Sequence, residues 1–218
     1  MPPTNEIWPP KAGLSTHVVS SRTTILTISG SAIINAPPEI IFQTLRNTAG
    51  YPSWNTFCPT VTINSQPDTT SDEERSLLSK DTVFTFHVAM DSNKANKLTD
   101  SQMRLTDFST PTAPSSYLSE EELSQGSFEP DLSRVWRIAW TTCGGFVSRG
   151  LSAERFNEII ELGEGRGCLY RTWECQGGIL ARTVKWLYEK TLNEKFQLWC
   201  EDLKRACEGS DREGELHG

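Results

Sequence analysis

The last quarter of the chain constrains the fold most. After Gly177-Gly178, a helical segment runs from about Ile179 to Glu208. Within it Leu180, Val184, Leu187, Leu192, Phe196, Trp199 and Leu203 recur at spacings of three to five residues. They form one apolar stripe about seven turns long. Such a stripe needs a broad apolar surface to lie on, and the segments that precede it are strands.

From Thr24 onward Leu26, Ile28, Gly30, Ala32 and Ile34 share one parity, while Thr27, Ser29 and Ser31 hold the other, which is the pattern of a half-buried strand. Asn35-Ala36-Pro37-Pro38 punctuates it. Ile40, Ile41, Thr44 and Leu45 then give a short helix its apolar side, and Gly50-Tyr51-Pro52-Ser53-Trp54 leads to a second one. Val61 and Ile63 fall in a short strand, and residues 65–82 read as a polar loop. Phe84, Phe86, Val88 and Met90 share a face of the next strand, opposite Thr85 and His87. That parity makes His87 a surface residue rather than a base. A weaker strand spans 103–108.

Residues 109–133 are rich in Ser, Pro and Glu, an insertion that is either a surface excursion or a pocket lid. Strand pattern resumes with Trp136, Ile138 and Trp140. The segments Ala153–Leu162 and Cys168–Gln176 flank a glycine-rich hairpin loop at 163–167. Residues 1–22 and 209–218 are polar and aperiodic, and are expected to be a flexible arm and tail around a domain spanning 23–208.

Bulk properties narrow the function classes. With 218 residues, one good core is possible. The net charge of −7 leaves no basic stripe for nucleic acid, and Arg182, Lys185 and Lys190 sit on a helix mixed with acids, so anionic membranes are also poor partners. No run reaches the ~18–20 apolar residues of a membrane span, and Met1–Pro10 lacks the apolar core of a signal peptide. A cytoplasmic monomer or homodimer is expected. The six cysteines contain no CxxC pair and are read as buried free thiols. Three histidines, none paired at metal spacing, imply no metal. There is no GxSxG elbow or phosphate-binding GxxxxGK[ST] loop, and Cys143 lacks an evident histidine partner.

The order strand, two short helices, antiparallel strands, long helix resembles the SRPBCC superfamily, the START and Bet v 1-like helix-grip proteins. Within it, the chain resembles the polyketide cyclase/dehydrase-like branch and its fungal single-domain members. The segments that carry the resemblance are Ile33 through Phe42, Tyr51-Pro52-Ser53-Trp54-Asn55, Val135 through Trp140, Cys168 through Glu174 leading into Gly177-Gly178, and Glu201 through Arg205. Together they cover roughly residues 24–208. The resemblance implies an α+β fold in which a curved antiparallel sheet wraps round the C-terminal helix and encloses a pocket. It departs at Gln176, where relatives often carry an aromatic residue, so the pocket is expected to be more polar there.

Parity on the sheet places Leu26, Ile28, Phe84, Phe86, Trp136, Ile138, Trp140, Phe156 and Ile160 toward that pocket, with the outer face in solvent. Trp54, Phe57, Leu180 and Val184 are expected to complete the lining. Glu158 is then an acid on an apolar face. A hairpin pivoting near Gly165 sets it across from Thr172, with Tyr170 and Glu174 on the same face. Two carboxyls in an apolar pocket acquire raised pKa values and can trade protons with a substrate near neutral pH. Glu158, Glu174 and Tyr170 are therefore the candidate catalytic residues. The competing role for either carboxylate is an ion pair with Arg171 or Arg182, or exposure at a strand edge.

Two functions follow. One is a cofactor-independent cyclase, dehydratase or isomerase acting on a hydrophobic polyketide- or terpenoid-like molecule of secondary metabolism. The other is a non-catalytic carrier of a lipid or hydrophobic metabolite. A partner-binding adaptor would need an exposed apolar patch on the long helix, against which Glu189, Lys190, Glu194 and Lys195 argue.

Overall fold

A computed structural model describes residues 8–67, 71, 74–90, 98–145, 149–163 and 165–214, the last five as backbone. The elements are β1 (Leu26–Ile34), α1 (Pro38–Arg46), a 3-10 turn (Thr48–Gly50), α2 (Tyr51–Trp54), β2 (Thr60–Ser65), β3 (Val83–Val88), β4 (Thr99–Ser109), α3 (Glu120–Leu123), β5 (Val135–Thr142), β6 (Ser152–Glu161), β7 (Cys168–Gly177) and α4 (Ile179–Gly214). The seven strands form one antiparallel sheet in the order β1-β7-β6-β5-β4-β3-β2. α4 lies across its inner face, chiefly on β1, with α1 and α2 beside it. This is the helix-grip fold.

Two residue choices close the grip. A Cβ at Gly30 would sit 2.9 Å from Cys200 Sγ and 3.0 Å from the Phe196 carbonyl oxygen, so glycine lets α4 approach β1. At the other end of the hairpin Gly163, Gly165 and Gly167 all adopt positive φ, as the tight β6–β7 connection requires. All six cysteines are thiols, none of them joined in a disulfide.

The inner core joins Leu26, Ile28, Phe84, Phe86, Trp136, Ile138, Trp140, Ile159 and Tyr170 of the sheet to Phe196, Trp199, Cys200, Leu203 and Cys207 of α4. The outer face is not in solvent. A second core of Leu14, Val19, Leu118, Phe128, Ala139, Phe156, Trp173 and Cys175 covers it. The N-terminal arm and the 109–133 insertion supply the cover. Trp173 Nε1 donates to the Ser15 carbonyl at 2.9 Å, and Phe128 packs on Phe156 and Trp173. The insertion is therefore a packed layer on the side of the sheet away from α4, not a lid over the grip. It contains a short helix with a full Ser119/Glu122 capping box. The arm is bound from Trp8 onward; residues 1–7 lie outside the described residues.

The second core corrects the parity of β6. Phe156, Glu158 and Ile160 point outward, and Arg155, Asn157 and Ile159 point inward. The hairpin pairs Glu158 with Arg171 rather than with Thr172, one residue from the expected register. A slip of one reverses every side chain.

α4 also differs from expectation. It runs through Gly209 to Gly214, since one helical glycine costs only ~1 kcal/mol. Leu187 is not in the stripe; it is half exposed, and Ile179 and Trp186 are more so. The buried stripe runs through Ala181, Lys195, Phe196, Trp199, Cys200, Leu203 and Cys207, with Val184 and Leu192 partly buried. Among the described residues no helix is long and apolar enough to cross a membrane.

Candidate functional site

The expected lining residues mostly meet one another. Tyr51 and Trp54 of α2 pack on Trp199, with ring centroids 5.8 and 5.4 Å away. Phe84 and Phe86 pack on Trp140, and Phe57 faces Phe196. The middle of the grip is thus largely filled by aromatic rings. Trp136 lies toward the far end of β5, beside a surface cleft of about 260 Å³ that it shares with Phe42 and Phe108. A wider cleft of about 530 Å³ opens between Thr44, Trp54 and Arg205. Leu180 packs against Gly150 rather than facing the centre.

A polar rung crosses the inner face among these rings. Trp140, Arg155, Glu174 and Ile28 stand side by side on β5, β6, β7 and β1. Arg155 is 4% exposed. Its guanidinium carbon lies 4.1 Å from the ring centroids of both Phe196 and Trp199, and 5.7 Å from that of Trp140. Its Nε donates to Thr172 Oγ1 at 2.9 Å, while Nη2 is buried without a hydrogen-bond partner. Among the described residues no carboxylate comes within ion-pair distance of it. Cation–π contacts offset part of the cost of burying this charge but do not satisfy its N–H groups. The Trp140 Nε1 donor beside it and the Gln176 Oε1 acceptor are also buried and unpartnered.

Glu174 is only partly buried, although it sits on the inner face next to Arg155. Burial pushes its carboxyl above the ordinary glutamate range; a 2.6 Å hydrogen bond from Gln176 and the Arg155 charge pull it back only in part. Gln176 thus serves as a partner for Glu174, the polar role expected from its departure at this position. Met90 and Val184 are likewise partly buried, and Tyr188 is 42% exposed, so the packing of the grip thins toward this end.

The next residues along are satisfied. Tyr170 Oη donates to Asn157 Oδ1 at 2.7 Å and accepts from Trp199 Nε1 at 2.9 Å. Thr172 Oγ1 bonds the Phe156 carbonyl and Asn157, and Asn157 Nδ2 donates to the Ile138 carbonyl. This network fixes the Thr172 hydroxyl that holds Arg155. Tyr170 has no spare hydrogen bond of this kind for a substrate and is better placed to position than to react.

Glu158 is on the other side of the sheet. Its carboxylate is gripped by Arg137 and Arg171 at 2.8 and 2.6 Å, and both oxygens accept from the Glu129 backbone N–H. It is wholly buried and fully paired, so its role is the ion pair with Arg171 rather than proton transfer in the grip. His87 also has a local role, bonded to Thr62 and Asp100 at the surface.

Arg155 and Asn157 were missed because they alternate with Phe156 and Ile160, and polar residues beside aromatic ones read as the wet face of a strand. The signal for them is indirect: both faces of β6 are buried, so the polar set must face something polar. No group of His, Cys, Asp and Glu able to hold a metal occurs among the described residues.

No family model matches the sequence. The oxopyrrolidines biosynthesis cluster protein O of Penicillium oxalicum is 32% identical over 206 residues, spanning 90% of this chain and 93% of that one. The chain belongs to the family of that protein. Among solved structures, the START superfamily protein of Mycobacterium smegmatis superposes with a TM-score of 0.53 at 13% identity, over 84% of this chain and 98% of its own. The major latex-like protein 151 of Panax ginseng gives 0.52 at 10% identity, over 83% and 96%. A norcoclaurine synthase point mutant from Thalictrum, in complex with a transition-state analogue, gives 0.50 at 7% identity, over 85% and 95%. These likenesses establish the START/Bet v 1-like fold, and the Penicillium relative is named for an oxopyrrolidines biosynthesis cluster.

Proposed function

We propose that the protein is a cofactor-independent acid–base enzyme of secondary metabolism, acting on a hydrophobic small molecule whose carbonyl or enol oxygen docks on Arg155. The observation that carries this is the buried Arg155 Nη2, a cation donor with no protein acceptor, beside the unpartnered Trp140 Nε1. A buried guanidinium and a buried indole N–H on neighbouring strands, in a dry aromatic setting, are donors of the kind a developing oxyanion requires. Glu174, one strand over, supplies the proton-transfer group. Its carboxylate takes a proton from the carbon next to the carbonyl, the negative charge passes to the oxygen held by Arg155 and Trp140, and the proton returns at another carbon. Return to carbon gives isomerisation. If a β-hydroxyl leaves instead, taking that proton as water, the result is dehydration; if the enolate carbon attacks a second carbonyl and the new alkoxide takes that proton, the result is cyclisation. A five-membered nitrogen ring bearing a carbonyl, the kind of molecule in the Penicillium relative's name, has an oxygen of this kind.

The second reading is a carrier. Tyr170 and Thr172 are already satisfied, and one polar rung in an aromatic interior also suits a single anchor for an unchanged ligand. Deleting the gene in the producing organism and feeding the accumulated metabolite to the purified protein separates the two. The enzyme converts it, and Glu174→Gln lowers turnover by ~10²–10⁴-fold, the usual worth of a positioned acid or base. Stoichiometric binding with no conversion supports the carrier instead.

A further inference from the structure

We propose that the outward face of the first three turns of α4 is a docking surface for an anionic lipid bilayer. Ile179 and Trp186 are 83% and 84% exposed and Leu187 is 49% exposed. Their spacing of seven and eight residues stacks them on one side of the helix, opposite Ala181 and the sheet-facing stripe. Isolated exposed leucines are ordinary, but an almost fully exposed tryptophan flanked by two aliphatics along one helix face is a patch.

The charges around the patch name its partner. Residues 179–188 contain Arg182 and Lys185 and no acid. Lys190 follows with its side chain 91% exposed, and Arg149 is exposed in the loop whose Gly150 carbonyl accepts from the Leu180 N–H. Sequence alone set these cations against the acids of the helix and made an anionic membrane a poor partner; in the structure those acids, Glu189 and Glu194, pair within the helix to Lys185 and Lys190 at 3.8 and 3.9 Å, which leaves Arg182 and Arg149 as the cations without an ion pair among the described residues. Cations near a helix N-terminus oppose the helix dipole, so this placement works against helix stability. It also runs against a chain whose net charge is −7. A basic, tryptophan-bearing helix face suits the headgroup boundary of an anionic membrane, where the indole sits at the interface and the Lys and Arg stems extend to the phosphates. A second copy of the chain fits less well. Three side chains expose a few hundred Å² at most, well under the ~800 Å² per partner of a standard interface. This surface stands whether the ligand is converted or carried.

The test is sedimentation of the full chain with vesicles of phosphatidylcholine alone and of phosphatidylcholine with phosphatidylserine. Binding is expected on the anionic vesicles, with a blue shift of tryptophan emission and weakening as salt shortens the Debye length. The double variant Trp186→Ser, Leu187→Ser is expected to lose about tenfold or more in affinity while keeping the wild-type melting temperature. Arg182→Glu with Lys190→Glu is expected to remove the preference for phosphatidylserine. The proposal is overturned if neither vesicle binds, or if the serine variant binds as the wild type does. It is equally overturned if sedimentation velocity finds a dimer that the serine variant abolishes.

Discussion

At the scale of single residues, two carboxyls of similar sequence context end in opposite roles. Glu158 is clamped between Arg137 and Arg171 under the second core, and removing one member of such a group strands the others. Glu158→Ala should cost about 3–5 kcal/mol in urea unfolding and leave ligand binding by the folded fraction unchanged. Glu174 behaves differently, because burial raises its carboxyl above the ordinary value of 4.5, as it does for Glu154 and, above 3.8, for Asp107. A group that holds its proton more tightly when folded stabilises most at low pH. That contribution is complete below the unfolded value and is lost as pH rises through the folded one. Glu122 and Asp131 are shifted down and work in the opposite sense. The clean observable is therefore the difference between wild type and Glu174→Gln. Wild-type stability should fall relative to the variant as pH rises from about 4.5 toward neutrality, as measured by denaturation across that range.

At the scale of elements, the sequence made most strands and both ends of the fold readable, because period-two alternation in β1 and β3 and a helical stripe before Gly209 are local patterns. The hairpin β6–β7 was readable as a hairpin but not in register. Phe156, Ile160 and Trp173 are apolar on one side, and Ile159 and Tyr170 on the other, so neither face declares itself. What decides is non-local: the arm and the 109–133 layer bring Leu14, Val19, Leu118 and Phe128 onto the outer face. Glu174, Tyr170 and Thr172 were legible as one set sharing a face, whereas which face that is, and the inward turn of Arg155, depended on the register and on what covers the sheet. The arm is accordingly structural. Deleting residues 1–22 removes buried Leu14 and Val19 and the bond from Trp173 to Ser15. Burial of each aliphatic is worth ~1.5–3 kcal/mol, so a total loss of about 3–6 kcal/mol is expected, with new binding of a hydrophobic dye to the bared face. A truncated protein of unchanged stability would contradict the two-core description.

At the scale of the molecule, the sheet separates two interiors with different work. The outer one is sealed by ion pairs and rings, with Glu158 and Glu154 as anchor points for the insertion and arm. The inner one is packed with aromatics yet keeps, in Arg155, a buried cation with no carboxylate at ion-pair distance among the described residues, and its packing thins where Glu174 and Val184 are partly exposed. A stable core does not gain from a buried arginine with an unmade hydrogen bond, and this is the ground for the proposal that a guest docks there. The measurement that tests this most directly is native mass spectrometry of wild type, Trp140→Phe and Arg155→Met, each isolated from the producing organism and checked for fold by circular dichroism. A stoichiometric small molecule bearing an acidic or carbonyl oxygen should accompany the wild type, weaken with Trp140→Phe and be lost from folded Arg155→Met. A ligand retained equally by all three proteins would place the binding site elsewhere and contradict the account.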